Sequence, residues 1–204
     1  MDAALLTSTR KPRTLVVTTA LVVAIAAFFV LRAQRAPSFH GMALDAGDPI
    51  AGLTFAGENG PVSIESLRGK PTVVYFGYTQ CPDVCPTTLS DVAKALRSIG
   101  ADADAVQVVM ITVDPQRDTP AHLARYVRIF DPHFVGLSGS EEQIADAAAR
   151  FGVHYARQGD GASYSMEHTA SLLLLDAAGR LRVILPYGMP AEQIADDLKT
   201  ATKL

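Results

Sequence analysis

Two cysteines are the residues of this sequence that are best suited to chemical reaction or metal binding. Cys81 and Cys85 are the only cysteines among 204 residues, and three residues separate them in the segment YTQCPDVCP. A thiolate is both a nucleophile and a soft metal ligand, so the pair fits a redox couple or part of a metal site. Two cysteines exclude a scaffold stapled by several disulfides and a zinc site of four thiolates from one chain. A buried disulfide or two inert thiols is the alternative without such chemistry.

The position of the pair in the predicted secondary structure favours reactivity. A run of β-branched and aromatic residues at 72–78 predicts a buried strand, and the apolar spacing over residues 86–99 predicts a helix. The cysteines then lie at a helix N-terminus, where partial positive charge and unpaired amides stabilise a thiolate. We therefore expect both sulfurs to be reactive or metal-bound, and the motif alone does not decide between the two.

A metal held by the two thiolates needs a third ligand, and the sequence has five histidines: His40, His122, His133, His154 and His168. His168 directly precedes a predicted strand that, in the fold outlined below, runs antiparallel to the strand leading to the thiols. That strand starts at the sheet edge where the thiol-bearing strand ends, so we predict that His168 faces the two cysteines. His122 falls inside a predicted helix and His133 in a loop, whereas His154 remains a weaker competitor.

The chemistry of these donors indicates which metal they suit. Two sulfurs and one imidazole form a three-coordinate set that fits Cu(I), and Cu(II) can complete a tetragonal shell with water. Zinc fits less well, because a structural zinc site takes a fourth protein ligand and the sequence has no further cysteine. Copper is therefore the predicted metal.

The elements that must position these residues follow an α/β pattern. A strand, a helix and a second strand predict a right-handed βαβ unit with parallel strands, and Asp176 to Gly179 is a hairpin turn signal that predicts an antiparallel pair. Besides 72–78 and 86–99, strands are predicted at 106–114, 134–137, 170–175 and 181–185, and helices at 120–130, 141–151 and 190–200. This order outlines a thioredoxin-like three-layer α/β/α sandwich with a mixed sheet.

The N-terminal part of the sequence predicts a membrane segment. Residues 14–31 are 18 uncharged and mostly apolar residues, long enough to cross a hydrocarbon core of about 30 Å as a helix. A cleaved signal peptide is the competing interpretation, but arginines follow the apolar run where a cleavage site would lie. Three basic residues precede the run and two follow it, which favours a cytoplasmic N-terminus. Residues 36–60 predict a linker and then a hairpin or extended segment.

Charge is unevenly distributed along the chain. The formal net charge is −3, yet residues 1–36 hold five basic residues and one acidic residue, which leaves 13 basic and 20 acidic residues, a balance of −7, for the rest. The opposite signs indicate two environments. Without a strongly basic surface, the sequence argues against nucleic-acid binding.

Three separated motifs resemble those of the Sco/SenC proteins, membrane-anchored copper metallochaperones of cytochrome oxidase assembly. The segment YFGYTQCPDVCP at residues 75–86 is similar to the thiol motif of that family, VDPQRDTP at 113–120 to its second signature, and YSMEHTAS at 164–171 to its histidine segment. The resemblance extends from about residue 43 over nearly all of the rest of the chain and includes the single N-terminal anchor. One departure is Glu167, where the family pattern has an aspartate, but the acid is kept.

The resemblance implies both a site and a role. The metal ligands would be Cys81, Cys85 and His168, the metal would be copper as Cu(I) or Cu(II), and the cysteines would be a redox-active pair that forms a disulfide when oxidised. The role would be copper delivery to the binuclear copper centre of cytochrome c oxidase, or reduction of the cysteines of that centre. The implied partners are the copper-bearing subunit of the oxidase and a periplasmic copper donor or thiol reductant.

The same interpretation divides the chain and locates it. Residues 1–13 are predicted as a short cytoplasmic N-terminus, 14–31 as a transmembrane anchor, 32–45 as a linker and 46–204 as a thioredoxin-like copper-binding domain. We expect a single-pass protein of the inner (cytoplasmic) membrane, with the C-terminal domain in the periplasm or an equivalent extracytoplasmic space.

Further polar residues are predicted close to the site. Asp114 ends the second parallel strand at the thiol edge, and Asp114 and Glu167 are candidates for outer carboxylates that orient the ligands or meet a partner. For Arg117 and Asp118 the favoured interpretation is a turn in which Asp118 helps to cap the next helix. Met166 is a candidate soft ligand, but packing is its favoured role.

A thiol-disulfide oxidoreductase that uses the Cys81/Cys85 pair is the main alternative function, because it would share the fold, the thiol position and the compartment. Thioredoxin-like oxidoreductases resemble one another in a CxxC pair and a cis-proline before the antiparallel strand. This chain has three residues between its cysteines and no proline in residues 151–185, which argues against this alternative. A peroxiredoxin-type peroxidase would have proline and threonine where this chain has Val74 and Tyr78. A membrane-tethered scaffold with a structural disulfide is the non-enzymatic alternative.

Overall fold

A computed structural model of the protein describes residues 17, 21–27 and 38–204. Most of the predicted membrane anchor, residues 14–31, and all of the predicted cytoplasmic segment lie outside these residues. In the part of the chain that is described, no helix has both the length and the apolar character needed to cross a membrane. The folded unit runs from Ser38 to Leu204 and so includes residues that the sequence assigns to a linker.

A six-stranded mixed sheet lies at the centre of this unit. The ten strands of residues 38–204 are β1 (Met42–Ala43), β2 (Thr54–Gly57), β3 (Gly60–Ser63), β4 (Thr72–Gly77), β5 (Gln107–Thr112), β6 (Val135–Leu137), β7 (Tyr155–Gln158), β8 (Ser165–His168), β9 (Leu172–Leu175) and β10 (Leu181–Leu185). The sheet has the order β1-β10-β9-β4-β5-β6, and the separate pairs β2-β3 and β7-β8 are antiparallel hairpins. Strands β4, β5 and β6 are parallel, whereas β9 runs antiparallel to both β4 and β10.

Four α-helices cover the sheet: α1 (Val84–Ile99), α2 (Pro120–Val127), α3 (Glu141–Phe151) and α4 (Ala191–Ala201). Helices α1 and α4 pack against each other, while Phe76 of β4 contacts Phe151 of α3 with ring centroids 5.4 Å apart. All six residues of β4 are buried, as expected for a central strand covered on both faces. The mixed-sheet, thioredoxin-like α/β fold predicted from the sequence is confirmed.

Local sequence signals explain where the helices begin and end. The Thr119 hydroxyl accepts a hydrogen bond from the His122 amide, and Pro120 occupies the first turn of α2. A reciprocal capping box of Ser140 and Gln143 starts α3. Helix α1 begins two residues before the predicted start, because Pro86 in a first turn loses no intrahelical hydrogen bond.

Two elements were not predicted. Strand β1 lies in the predicted linker and pairs with β10. The residues just before β1 are held by the buried carboxylate of Asp197 on α4, which accepts hydrogen bonds from the amides of His40 (2.7 Å) and Gly41 (2.8 Å). The β7-β8 hairpin is the other unpredicted element. Its strands have four residues each and five of the eight residues are polar, so the apolar alternation that marks a strand is weak.

Candidate metal centre

Three side chains converge at the carboxyl end of β4. One donor atom each from Cys81, Cys85 and His168 lies within 4.8 Å of the other two. The His168 Nε2 atom is 3.4 Å from the Cys85 Sγ atom, and both cysteines are free thiols. The structure thus brings together the three residues that the sequence singled out. The antiparallel pairing of β9 with β4 is the reason, because it returns the chain to the thiol edge just after His168.

The segment between β4 and α1, residues 78–85, forms the thiol loop. Cys85 is the second residue of α1, and its amide would have no partner inside the helix. That amide donates a hydrogen bond of 3.3 Å to the Cys81 Sγ atom, while the side chain at the N-cap position, Asp83, makes no capping hydrogen bond. The Cys81 sulfur therefore takes the place of a capping side chain at the start of α1.

The Cys85 sulfur is in a different environment. Its side chain is fully buried, and burial raises the pKa of the Cys85 thiol to about 12, although the Tyr75 hydroxyl and the Tyr78 backbone act in the opposite direction. The expectation that the helix N-terminus stabilises both thiolates is therefore wrong for Cys85, because the hydration lost on burial outweighs the hydrogen bonds that favour the thiolate. A metal ion bound by Cys85 must displace the thiol proton.

His168 is held as a neutral imidazole with a defined tautomer. Its Nδ1 atom lies 3.1 Å from the backbone oxygen of Thr169, and since a carbonyl only accepts, the proton is on Nδ1. The lone pair of Nε2 then points to Cys85. Burial lowers the pKa of His168, and the rings of Tyr75 and Tyr78 pack edge-on against the imidazole with centroids at 6.0 and 5.9 Å. Metal-ligating histidines usually have this kind of second hydrogen bond.

The β7-β8 hairpin carries the imidazole. Tyr155 of β7 lies opposite His168 in the ladder, and the Thr169 amide donates to the His154 backbone oxygen at 2.9 Å. The signal that could have revealed β8 is short: exposure alternates from Ser165 to His168, with the second and fourth residues turned inward.

A polar network links the end of β5 to this hairpin. Asp114 is buried, accepts a 2.6 Å hydrogen bond from the Tyr164 hydroxyl and forms an ion pair with Arg117. The Arg117 Nη1 atom donates to the Gln80 side chain at 3.0 Å and to the Tyr164 backbone oxygen at 2.9 Å. Asp114 thus bonds to Tyr164, which precedes β8, and to Arg117, which contacts Gln80 next to Cys81. Arg117, which the sequence assigned to a turn, has a role that sequence reasoning missed.

The interpretation of Asp118 also needs correction. Thr119 is the residue whose side chain caps α2, whereas Asp118 is fully buried and points to the thiol loop. Its carboxylate accepts hydrogen bonds from the Thr79 amide (3.0 Å), the Thr79 hydroxyl and the Thr112 hydroxyl (2.7 Å). Asp118 therefore fixes the start of the thiol loop to the end of β5.

The remaining candidates from the sequence are Glu167 and Met166. Glu167 is exposed and accepts a 2.9 Å hydrogen bond from Gln158 across the hairpin. Met166 is partly buried and packs on the core, the role favoured from the sequence. The group of donor atoms formed by Cys81, Cys85 and His168 does not include the other four histidines of the sequence, His40, His122, His133 and His154.

The donor set fits a soft metal ion. Two sulfurs and an unprotonated imidazole nitrogen lie close enough to share one ion after small movements, and two of the three donors are of the soft class that Cu(I) prefers. The Tyr75 hydroxyl is buried beside Cys85 and makes no hydrogen bond of good geometry to any described residue. A phenol donor in this place can stabilise the negative charge of a metal-bound sulfur.

Comparison with known proteins places the chain in one family. The SCO1/SenC family model matches residues 52–203. The SCO2-like protein of Rickettsia conorii is 38% identical over 127 residues, which are 60% of this chain and 62% of that protein. This chain therefore aligns with less than two thirds of that relative's length.

Solved structures show the same similarity. The copper-bound ScoI of Bradyrhizobium japonicum is 42% identical, with a TM-score of 0.68 over 74% of this chain and 99% of that one. The copper-bound ScoI of Arabidopsis thaliana is 31% identical, with a TM-score of 0.70 over 76% of this chain and 99% of that one.

Proposed function

Because the chain belongs to the SCO1/SenC family, we propose that it binds copper through Cys81, Cys85 and His168 and works as a membrane-anchored copper chaperone. Its task is to take part in assembling the binuclear copper centre of cytochrome c oxidase. The partners are the copper-bearing subunit of the oxidase and a copper donor or thiol reductant outside the cytoplasm. Residues 14–31 anchor the protein in the inner membrane, with the folded unit on the periplasmic or equivalent side.

One observation carries the copper proposal. A histidine 83 positions away in the chain presents its unprotonated Nε2 atom to a thiol at 3.4 Å, beside a second sulfur. A structural disulfide would need no imidazole in this place. The copper-bound relatives support the choice of metal, since they share the fold at 31% identity or more.

Copper titration of the full chain in detergent tests this proposal. The reduced protein is titrated with Cu(I) and with Cu(II) beside His168→Ala and the double variant Cys81→Ser, Cys85→Ser. His154→Ala is the matched control, because His154 lies next to the hairpin but outside the donor cluster.

We expect one copper ion per chain, with affinity lost in the double cysteine variant. His168→Ala should weaken binding by more than the roughly 10- to 100-fold that follows loss of a residue behind a ligand, because it removes the ligand itself. Binding that does not respond to His168→Ala, or that His154→Ala weakens equally, would reject the three-ligand site.

Thiol-disulfide exchange is the second candidate function, and the unequal exposure of the two cysteine residues favours it. Cys81 is partly exposed and its sulfur accepts a helix amide, so it can attack a target disulfide and release one target thiol. Buried Cys85 would then attack the mixed disulfide, release the second target thiol and leave a Cys81–Cys85 disulfide. An external dithiol must then reduce this disulfide.

Rates of exchange distinguish the two functions. If reduction of the oxidase cysteines is the main task, the reduced protein should reduce a disulfide-bonded peptide of the copper-bearing subunit, and His168→Ala should leave that rate nearly unchanged. If copper delivery is the main task, transfer of copper to the reduced peptide should require His168.

A further inference from the structure

The hairpin that carries His168 is not part of the sheet that carries the thiol loop. Within residues 38–204, β8 forms its ladder with β7, and this two-stranded pair is separate from the six-stranded sheet. Pairing of β9 with β4 returns the chain to the thiol loop just after His168, but no ladder of the central sheet includes the hairpin itself. Side-chain contacts are therefore needed to hold the hairpin against the thiol loop.

Arg117 bridges the two parts. On one side, its Nη1 atom donates to the side chain of Gln80, the residue before Cys81, at 3.0 Å. On the other side, the same atom donates to the backbone oxygen of Tyr164, the residue before β8, at 2.9 Å. The guanidinium also stacks on the Tyr164 ring, 3.6 Å from its centroid. One side chain thus touches the residues that lead into both halves of the cluster.

The buried carboxylate of Asp114 fixes the position of the Arg117 side chain. The Nε atom of Arg117 is paired with the buried carboxylate of Asp114, and this carboxylate also accepts the Tyr164 hydroxyl at 2.6 Å. The guanidinium side chain is itself only 15% exposed. Charge pairing in such a dry place fixes orientation more strongly than it would in water.

We propose that Arg117 is a positioning residue that holds the β7-β8 hairpin against the thiol loop and so keeps His168 within reach of Cys81 and Cys85. The effect on copper rests on the proposed function, whereas the effect on the imidazole position does not. Other contacts across the gap are the edge-on packing of His168 against Tyr75 and Tyr78 and the approach of the Tyr78 hydroxyl to the Met166 backbone. Arg117 differs from them in binding both the residue before Cys81 and the residue before β8.

The chemistry of the bridge requires arginine. A planar guanidinium can serve the Asp114 carboxylate, an amide oxygen and a backbone oxygen together, while lysine offers one ammonium on a flexible stem. Arg117→Lys should therefore keep the charge and lose the bridge. Arg117→Met keeps the apolar stem and loses both charge and donors.

The variants are chosen to separate the bridge from general stability. Gln80→Ala removes only the link to the thiol loop, and Gln80 is exposed, so this variant should fold even if Arg117→Met does not. Arg157→Met is the matched control: Arg157 also stacks on the Tyr164 ring at 3.8 Å, but it donates to Gly161 within its own hairpin.

Two measurements are made on the full chain in detergent. The first uses the metal-free protein: NMR shifts of the carbon-bound ring protons of His168, which the adjacent Tyr75 and Tyr78 rings displace. The second is the Cu(II) affinity of each variant, also measured in the His168→Ala background.

In Arg117→Met and Arg117→Lys we expect the His168 ring shifts to move toward those of an exposed imidazole. Copper affinity should fall about 10- to 100-fold, with no further loss when His168 is already alanine. Gln80→Ala should change both readouts in the same direction by less, and Arg157→Met should change neither.

Unchanged His168 shifts in the Arg117 and Gln80 variants would overturn the proposal, even if copper binding falls. A full affinity loss that persists in the His168→Ala background would overturn it as well. If the wild-type chain binds no copper while the His168 shifts still move, the bridge stands and the proposed copper function fails.

Discussion

The Nε2 atom of His168 lies 3.4 Å from the Sγ atom of Cys85, across 83 positions of the chain. The imidazole comes from a hairpin and the thiol from the first turn of α1, so two elements far apart in the sequence meet at one pair of atoms. At this distance the neutral nitrogen can accept the thiol proton or share a metal ion with the sulfur.

The tautomer of His168 can be observed directly. We expect the metal-free chain at pH 8 to have the proton on Nδ1, because that atom faces the Thr169 carbonyl. Long-range proton–nitrogen NMR spectra distinguish the two ring nitrogens. A proton found on Nε2 would contradict the lone pair that we place toward Cys85.

The two thiols should differ in reactivity toward iodoacetamide. Cys85→Ser, which retains Cys81, should be alkylated quickly at pH 8, whereas Cys81→Ser should react well over ten times more slowly. Burial and a pKa of about 12 keep Cys85 protonated and covered, and the slow rate should rise about tenfold per pH unit as the thiolate fraction grows.

The same experiment in denaturant provides the control. Unfolding removes the burial that raises the pKa of Cys85, so the two single-cysteine variants should then react at similar rates. A rapid reaction of Cys85 in the folded protein would show that its sulfur is not shielded as described.

Gly77→Ala should displace the Cys85 sulfur. A Cβ atom at this position would lie 2.8 Å from Tyr75 and 3.0 Å from the Cys85 Sγ atom, closer than packed atoms normally approach. We expect destabilisation of about 1–3 kcal/mol in urea unfolding, as for other overpacked cores. Gly47→Ala is the control, since nothing lies within 4 Å of a Cβ there. Equal effects of the two substitutions would argue against tight packing behind the sulfur.

The pH dependence of stability should show the carboxylate of the β9-β10 turn. Burial would raise the pKa of Asp176, but hydrogen bonds from the Arg180 amide, the Arg180 side chain and the Ala178 amide outweigh it and lower the pKa. Because the pKa of Asp176 is lower in the folded state, its ionised carboxylate stabilises the protein at pH values above the ordinary aspartate pKa of about 3.9. This stabilisation is lost as the pH falls through the pKa of the folded state.

Asp176→Asn should therefore cost about 1–2 kcal/mol near pH 7, and the difference from wild type should shrink below pH 4. Urea unfolding at several pH values measures this, with exposed Asp48→Asn as the control. A difference that stays constant from pH 7 to pH 2 would mean that the charge of Asp176 does not contribute.

Much of the fold could be predicted because its signals are local. Buried apolar runs predicted β4 and β5, and the turn at Asp176 to Gly179 predicted the antiparallel β9-β10 pair. From these elements alone, the sheet topology led to His168 as the residue opposite the thiols. The direction of β9 relative to β4 was sufficient, because an antiparallel strand begins at the end of the sheet where β4 and the thiol loop meet.

The sequence was a weaker guide where long-range side-chain contacts decide. Arg117 and Asp118 look like turn residues, and only the tertiary structure shows that their partners are Gln80 and Tyr164 for one and Thr79 and Thr112 for the other. The raised pKa of Cys85 was missed for a related reason, since burial is a property of the assembled core and the helix N-terminus is visible locally.

The unequal burial of the three donors gives ligand exchange at this site an order. Cys81 is partly buried, while Cys85 has no exposed surface. Under the proposed copper function, an arriving ion would meet Cys81 first and reach Cys85 last, after the thiol proton has left. An acceptor's ligands would approach from the same side and replace Cys81 first, so they would join the coordination sphere while the buried sulfur of Cys85 still holds the ion. Such an associative handover avoids a free ion at every stage.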